Sequence, residues 1–377
     1  MMRVWILRHG LSTFNSQHRY QGCNDAPELT ETGRESARRT AERLSPAGID
    51  AVISTPLQRA LQTAKELLNS WRGQGADLQC HVDERLREVE LPGWEGKSHD
   101  EVKRDFPAQV LRWRRFPLEF SVQSGNGNSE YPVRGLYRRA ATIWDDLASR
   151  YTGRSVLLVT HGGTARALIT SAVGLGAAYF HRIQKSNCGL SRLWFPAVSS
   201  QARLELLNDT AHLGELLPKA KEGKRGVRLL LVSTTGSNPE DYLHISSLLR
   251  RLPFEKVLAL GRLGQDAASW IFDASANILP LPASEIDCAG RIREALGTIP
   301  GDRLVNTAVT TPPELLPMII RGVADLPGSA PELTVSKRPS ISAVHFPGAD
   351  LPPVLQAANW FEAGAPGEEV EVGPSRE

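Results

Sequence analysis

A basic residue, a histidine and a glycine follow directly on the first apolar run of this chain. Residues 4–7 have the character of a buried strand, and Arg8, His9 and Gly10 come next. The end of such a strand would bring a cation, an imidazole and flexible backbone to one point. Arginine binds phosphate oxygens with a planar fork, and a neutral imidazole is nucleophilic enough to accept a phosphoryl group. The pattern therefore predicts phosphoryl transfer with His9 as the nucleophile.

Three later segments supply the other groups that this chemistry requires. A second short apolar strand runs into a helix that begins near Arg59. Glu88 lies close to a glycine-rich segment at residues 93–96, which would place a carboxylate on a loop able to cover a site. A β-rich run ends in His161 and Gly162, which repeats the arrangement of the N-terminus. We therefore expect the ends of these strands to form one phosphate-binding site.

The order of these groups resembles the histidine phosphatase superfamily, also called phosphoglycerate mutase-like. The resemblance covers roughly the first 215 residues and implies a three-layer α/β fold. The matching positions are Arg8, His9, Gly10, Ser12, Asn15, residues 29–33, residues 54–57, Arg59, Thr63, Ala64, Glu88, His161 and Gly162.

The residue types and the resemblance together suggest how phosphate would be held. We expect His9 to attack phosphorus while its other ring nitrogen donates to a backbone carbonyl. Arg8, Arg59 and His161 would surround the phosphoryl oxygens, where negative charge builds up in the transition state. No metal or cofactor is expected, because no His or Cys cluster has a zinc-binding spacing and these side chains already meet the phosphate charge.

A carboxyl group is needed as the general acid and base. Glu88 is the candidate, because it fills the position that the family implies in Leu-x-Glu. It would protonate the departing oxygen and then accept a proton from the water that hydrolyses phosphohistidine. Glu90 and Glu95 flank it and are alternatives if the loop is shifted in register.

Four smaller or polar residues are implied as substrate contacts by the same resemblance. They are Ser12, Asn15, Gly22 and Gly162. For Asn15 the alternative is a local role, since asparagine often stabilises a turn by bonding to nearby backbone.

Composition and charge limit the classes of partner. The 44 basic and 42 acidic residues nearly cancel, so neither nucleic acid nor a membrane surface is expected as a partner. The four cysteines have no disulfide or metal spacing, which is typical of a reducing compartment. We expect neither a leader nor a membrane-spanning segment, and the expected location is the cytoplasm.

The length of 377 residues and a break in the apolar pattern indicate two domains. We expect a catalytic domain at residues 1–215, a linker at 216–226, a second domain at 227–360 and a disordered tail at 361–377. Strand-like runs of the second domain echo those of the first without the catalytic groups, which predicts a degenerate copy of the same fold. Such a copy would have a structural, dimerising or regulatory role, and a homodimer is compatible with it.

The insert between residues 96 and 154 is expected to form a lid over the phosphate pocket. Its residues most able to select a small anionic metabolite are Trp113, Arg114, Arg115, Tyr131 and Arg134. Arg134 would suit a substrate carboxylate through a bidentate pair. The alternative is that Trp113 belongs to the core of the lid and the arginines are solvated.

Residues 130–136 and 174–189 resemble the 2-carboxy-D-arabinitol-1-phosphatase branch, whose members hydrolyse a sugar-acid phosphate that inhibits Rubisco. The expected activity is therefore hydrolysis of a phosphomonoester through phosphohistidine. The substrate would be a small phosphorylated sugar acid or a sugar bisphosphate, with 2-carboxyarabinitol 1-phosphate as a candidate. Two alternatives are a cofactor-dependent phosphoglycerate mutase and, from another class, a phosphate-sensing regulatory or binding protein.

Overall fold

Twelve strands form one continuous mixed sheet in the computed structural model of the chain. The structure describes residues 1–44, 48–123, 129–197, 200–215, 217–220, 225–273, 276–283, 287–328, 330–348 and 351–360. Part of the predicted linker at 216–226 and all of the predicted tail at 361–377 lie outside these residues. Within them, no helix is both long enough and apolar enough to cross a membrane.

Within its described residues, the first half contains eight strands and seven α-helices. The strands are β1 (Met2–Arg8), β2 (Ala51–Ser54), β3 (Cys80–Val82), β4 (Val122–Gln123), β5 (Ser129–Glu130), β6 (Ser155–Thr160), β7 (Leu190–Phe195) and β8 (Arg203–Asp209). The helices are α1 (Thr13–Ser16), α2 (Glu31–Leu44), α3 (Gln58–Arg72), α4 (His99–Asp105), α5 (Pro107–Arg115), α6 (Pro132–Arg150) and α7 (Gly162–Ala172). Single 3-10 turns occur at Glu84–Leu86, Ala177–Tyr179 and Ala211–Leu213.

Strand β1 is apolar along its length because both of its faces are covered. Val4 and Ile6 belong to one buried apolar cluster, whereas Trp5 and Leu7 belong to another on the opposite face. A strand buried on both sides loses the alternation of polar and apolar residues, which explains the continuous run in the sequence. The three-layer α/β arrangement predicted from the sequence is confirmed.

The pairing of β1 places the catalytic residues at one edge. Strand β1 runs parallel to β6 with Arg8 opposite Thr160, and antiparallel to β7. His9 and His161 therefore leave neighbouring parallel strands side by side. Strand β2 runs parallel to β6 on its other side, so the start of α3 and Arg59 reach the same carboxyl edge. Ligand sites of open α/β sheets occur at this edge.

In the part of the second half that the structure describes, there are six strands and four α-helices. The strands are β9 (Gly226–Ser233), β10 (Lys256–Leu260), β11 (Ile278–Leu281), β12 (Leu304–Thr311), β13 (Ile341–Phe346) and β14 (Val354–Trp360). The helices are α8 (Leu243–Leu249), α9 (Gly261–Ile271), α10 (Cys288–Leu296) and α11 (Leu316–Val323), with a 3-10 turn at Pro239–Tyr242.

The strand order of the second half repeats that of the first. Read from the middle of the sheet outwards, one half runs β8-β7-β1-β6-β2-β3 and the other β14-β13-β9-β12-β10-β11. The register also agrees, because Ser233 lies opposite Thr311 as Arg8 lies opposite Thr160. Aligned in this register, the positions of Arg8, His9, Arg59 and His161 are occupied by Ser233, Thr234, Gly264 and Pro312.

The two halves meet where β8 and β14 pair antiparallel, with Leu207 opposite Ala358. Two flanking bridges extend this contact, one between Ile183 and Leu355 and the other between Leu204 and Leu333. In each bridge a loop of one half lies beside the last strand of the other. We call this region, formed by β8, β14 and the two bridging loops, the seam.

Candidate active site

His9 lies at the end of β1 with its side chain buried. Its Nδ1 is 2.8 Å from the carbonyl oxygen of Gly10. A carbonyl only accepts hydrogen bonds, so Nδ1 carries the proton and Nε2 retains its lone pair. The imidazole of His161 lies 5.2 Å away between ring centroids. This tautomer is the one that a nucleophilic histidine requires.

Two arginines flank the histidine pair, Arg59 buried and Arg8 partly buried, and backbone carbonyls hold both. Arg8 donates from Nη1 to the carbonyl of Lys185 at 2.9 Å. Arg59 donates from its two Nη atoms to the carbonyls of Asn24 and Gly22, each at 2.8 Å. These bonds to uncharged carbonyls fix both guanidinium groups in place.

Burial disfavours the charge on both arginines and is the main influence on each pKa. It lowers the pKa of Arg8 to about 10, and the nearby Arg166 and Arg59 lower it further while the carboxylate of Glu88 opposes them. Burial likewise lowers the pKa of Arg59, again opposed first by Glu88. Both side chains remain cations at neutral pH, so a bound phosphate would meet concentrated positive charge.

We call Arg8 and Arg59 together the clamp. Gly22 supports the clamp through its backbone carbonyl, which binds Arg59. Its φ of +51° lies in the left-handed region, and a Cβ there would collide with the Glu95 carboxylate. The carboxylate of Glu95 in turn accepts the backbone N–H groups of Cys23 at 2.9 Å and Leu91 at 3.2 Å. Only glycine lets the Arg59-binding carbonyl and this carboxylate approach so closely.

The carboxylate of Glu88 lies against the N-terminus of α7. Its Oε2 accepts the backbone N–H of Gly163 at 2.9 Å, and its Oε1 accepts that of Thr164 at 3.0 Å. A Cβ on Gly163 would lie 2.5 Å from Oε1, so the glycine allows this approach. Of the two alternatives, Glu90 is exposed and Glu95 holds the neighbouring loop. The charge of Glu88 raises the pKa of both Arg8 and Arg59, so its carboxylate lies near both arginines.

His161 is fully buried beside the clamp. Its Nε2 is 3.3 Å from the hydroxyl of Thr55. Burial lowers the pKa of His161 well below its usual value, and Arg59, His9 and Arg8 add to this effect. The ring is therefore neutral at physiological pH and can offer one N–H to an oxygen of a bound phosphate.

The implied substrate contacts surround the same point. The Ser12 hydroxyl accepts the backbone N–H of Asn15 at 3.2 Å and donates to Gln21, so it caps the short helix α1. The Asn15 side chain accepts a hydrogen bond from Asn187 at 2.9 Å. Gly162 faces Arg8, since a Cβ there would lie 3.5 Å from its guanidinium carbon.

One loop carries two residues, Asn187 and Lys185, whose roles at the site were not predicted from the sequence. The Asn187 Nδ2 lies 3.0 Å from the carbonyl of His9 and 3.1 Å from that of Gly10, which is the acceptor for the His9 ring. The buried Lys185 donates from Nζ to the carbonyl of Gly189 at 2.7 Å and supplies the carbonyl that holds Arg8. Both lie in the segment 184–189 that carried the branch resemblance, so a signal was present but gave no role.

The lid residues divide into a core and a surface. Trp113 packs edge-on against Phe120, Phe180 and His181, with ring centroids 4.9–5.6 Å apart, so it belongs to the lid core. Arg134 is exposed, donates from Nε to the carbonyl of Leu118 and stacks 4.2 Å above the Tyr131 ring. Within the described residues, no hydrogen bond joins Arg134 to the clamp.

A further cation, Arg166, lies near enough to Arg8 for its charge to lower the pKa of Arg8. Arg166 follows Gly162 by one turn on the same face of α7, and Gly162 faces Arg8. Its Nη1 is 3.5 Å from Nδ1 of His181. Arg166 is thus a third arginine at the site, and it was not singled out from the sequence.

Across the described ranges, no group of three or more His, Cys, Asp or Glu side chains could hold a metal ion.

The chain is similar to two plant proteins, over about half of its length for one and over most of its length for the other. The chain is 35% identical over 193 residues to the 2-carboxy-D-arabinitol-1-phosphatase of Triticum aestivum, covering 51% of this chain and 37% of the wheat protein. It is 28% identical over 317 residues to the "Probable 2-carboxy-D-arabinitol-1-phosphatase" of Arabidopsis thaliana, covering 82% of this chain and 63% of that protein. The chain thus spans less than two thirds of the length of either plant relative.

A solved structure shows the same fold. Bacillus stearothermophilus YhfR has a TM-score of 0.50 and 27% sequence identity, and it covers 56% of this chain and 100% of its own. A family model matches residues 4–210, which include His9, Arg59, Glu88 and His161. Because this match spans more than half of the chain, the chain belongs to the histidine phosphatase superfamily (branch 1).

Proposed function

We propose that this protein hydrolyses a phosphomonoester of a small sugar acid or a sugar bisphosphate through a phosphohistidine on His9. The observation that carries the proposal is the hydrogen bond from His9 Nδ1 to the Gly10 carbonyl at 2.8 Å. It leaves the Nε2 lone pair available for attack, beside two arginines and a neutral histidine. The superfamily membership supports the same chemistry.

The reaction has two steps on this reading. In the first, His9 Nε2 forms a bond to phosphorus while the bond between phosphorus and the substrate oxygen breaks, and Glu88 protonates that oxygen. In the second, water attacks the phosphohistidine, the phosphorus–nitrogen bond breaks and Glu88 accepts the water proton. Arg8, Arg59 and His161 donate hydrogen bonds to the phosphoryl oxygens in both transition states.

A second anionic group on the substrate fits the charge around the clamp. Arg166 lies one helical turn from Gly162, on the face directed at Arg8, so its guanidinium can reach a carboxylate or a second phosphate. The names of the two plant relatives support a phosphorylated sugar acid. We therefore propose 2-carboxyarabinitol 1-phosphate and related sugar-acid phosphates as the substrate class.

The test is release of inorganic phosphate from a panel of phosphoesters, with His9→Ala as the blank. The panel contains phosphoglycerates, phosphoserine, sugar phosphates, sugar bisphosphates and 2-carboxyarabinitol 1-phosphate. We expect hydrolysis that disappears in the blank, with preference for substrates that carry a second anion. Acid-labile, base-stable phosphate on His9 after rapid quenching would establish the intermediate.

Other outcomes would point to the alternatives. Transfer of the phosphoryl group to a second hydroxyl without phosphate release would indicate a mutase. Phosphate binding without turnover of any panel member would indicate a sensor. Either result would overturn the proposed hydrolysis.

A further inference from the structure

The loop that holds the nucleophile also carries the contact with the second half of the chain. We call residues 182–189 the bracing loop. On its inner side, the carbonyl of Lys185 accepts from Arg8, and the backbone N–H of Cys188 donates to the Arg8 carbonyl at 3.0 Å. Asn187 bonds to the carbonyls of His9 and Gly10. Three of its residues thus touch the backbone or side chains of the catalytic strand end.

The outer side of the same loop bonds to β14. The backbone N–H of Gln184 donates to the carbonyl of Leu355 at 2.9 Å, and the N–H of Leu355 donates to the carbonyl of Arg182 at 2.8 Å. The side chain of Gln356 donates to Oε1 of Gln184 at 3.2 Å. Both glutamines are almost completely buried, at 3% and 0% exposure.

The residue of the bracing loop that contacts β14 is adjacent in sequence to the residue that contacts Arg8. Gln184, which β14 holds, is directly followed by Lys185, whose carbonyl holds Arg8. The Lys185 side chain is itself fixed by the carbonyl of Gly189 and the hydroxyl of Ser191 at 2.7 and 2.9 Å. A buried loop with this many bonds has little freedom to absorb a shift, so a movement at Gln184 reaches Arg8 and Asn187.

We infer that the second half of the chain positions the catalytic groups of the first, and that Gln356 and Gln184 are the positioning residues. Neither glutamine touches substrate. They keep the Arg8 fork and the Gly10 carbonyl, which sets the His9 tautomer, in the geometry of the transition state. A half without catalytic groups would then be required for full activity, in contrast to a second domain that could be removed without consequence.

The repeat provides a matched control for this inference. Asn359 also lies on β14 and also crosses the seam, where its Nδ2 donates to the carbonyl of Glu205 at 3.0 Å. It is buried like Gln356 but contacts β8 and Thr334 rather than the bracing loop. Loss of its side chain therefore weakens the seam without touching the support of Arg8.

The experiment compares Gln356→Leu with Asn359→Gly in the full chain, with kcat, KM, inhibition by vanadate and Tm as readouts. The affinity for vanadate reports on transition-state geometry, because five-coordinate vanadate resembles the transition state of phosphoryl transfer. We expect both variants to lower Tm. Gln356→Leu should also lower kcat and weaken vanadate binding by roughly tenfold each with little change in KM, because a small misplacement of a clamp group is costly. Asn359→Gly should keep both values within about twofold of the wild type.

Two results would overturn the inference: wild-type kcat and vanadate affinity in Gln356→Leu, or an equal loss of both in Asn359→Gly. If Gln356→Leu does not fold, Gln184→Met removes the same side-chain bond from the loop side and is judged by the same readouts. The inference rests on the proposed phosphatase function, and the wild type separates the two. A wild-type protein that neither releases phosphate nor binds vanadate refutes the proposed function, whereas a selective effect in the variants concerns the inference alone.

Discussion

Asn208 and Asn359 make the same hydrogen bond in opposite directions across the seam. The Nδ2 of Asn208 donates to the carbonyl of Gln356 at 2.9 Å, and the Nδ2 of Asn359 donates to the carbonyl of Glu205 at 3.0 Å. Both residues have left-handed backbone, with φ of 53° and 52°. Their backbone N–H groups donate to the equivalent hydroxyls of Ser191 and Ser342. Equivalent residues thus join the two halves around a local twofold axis.

This relationship predicts equal effects on stability. Asn208→Gly and Asn359→Gly should each lower the free energy of unfolding by about 1–3 kcal/mol, because each leaves buried acceptors without a donor. Glycine adopts the positive φ without strain, so the loss reports the side chain. Urea denaturation of both variants measures it. A loss in one variant only would show that the seam is not energetically symmetric.

Glu88→Gln tests the general acid. For a substrate with an alkyl leaving group we expect kcat/KM to fall by about 10²–10³-fold, because the leaving oxygen then departs without a proton. For p-nitrophenyl phosphate the fall in kcat/KM should be much smaller, since p-nitrophenolate leaves unprotonated. The exposed Glu90→Gln serves as the control. Equal losses for both leaving groups would contradict the acid role of Glu88.

Arg166→Gln and Arg134→Gln distinguish two candidates for binding the second anion. Because Arg166 lies beside the clamp, its loss should raise KM for carboxylated substrates about tenfold, the worth of one charged hydrogen bond. For uncarboxylated phosphoesters KM should change little. Arg134→Gln should have a small effect, since Arg134 is bound to Leu118 and Tyr131. The opposite result would assign the anion to Arg134, as the sequence predicts.

Stability should fall in mildly acidic solution. Burial lowers the pKa of His161 well below its usual value, that of His181 to about 3 and that of His212 to about 4. In the unfolded chain these imidazoles bind protons near pH 6.5, so below that pH the unfolded state takes up more protons than the folded state. Stability is therefore complete above about pH 7.5 and declines as the pH falls through 6.5.

Each of these histidines contributes a slope of about 1.4 kcal/mol per pH unit once its unfolded form is protonated. Urea denaturation at about pH 7.5, 6.5 and 5.5 measures the combined slope. His212→Gln, whose partner is the hydroxyl of Thr40, should reduce the slope by up to about 1.4 kcal/mol per pH unit. A stability that is constant across this range would refute the neutral, buried state of the three side chains.

The site residues that directly follow an apolar strand could be predicted from the sequence. Arg8 and His9 follow an apolar strand, and His161 follows another, so parallel pairing was enough to predict that they meet. The contribution of Asn187 could not be read in this way, because it depends on how the loop before β7 folds back over His9, 178 residues away. Arg166 was missed for a simpler reason, since its relation to Gly162 becomes meaningful only once Gly162 is known to face Arg8.

In the second half, too, the sequence predicts the strands but not the contacts between distant segments. Its strand-like runs are visible in the sequence, but the partner of β14 is not. Edge strands carry little information about what they pair with, because backbone hydrogen bonds are shared by all residues. Gln356 and Asn359 look like ordinary polar residues of a strand until the seam places Gln356 against the bracing loop and Asn359 against β8.

The outer strands of the sheet are short, which protects the protein from edge-to-edge aggregation. The two remaining edges are β3, with three residues, and β11, in which Pro280 cannot donate a backbone hydrogen bond. Such edges are poor templates for another chain. Strand β8 is different, because it is seven residues long and its side facing the second half is covered by β14 and by the loop at Leu333. A fragment cut between the halves would expose that row of amides and carbonyls, so we expect proteolysis there to produce aggregates.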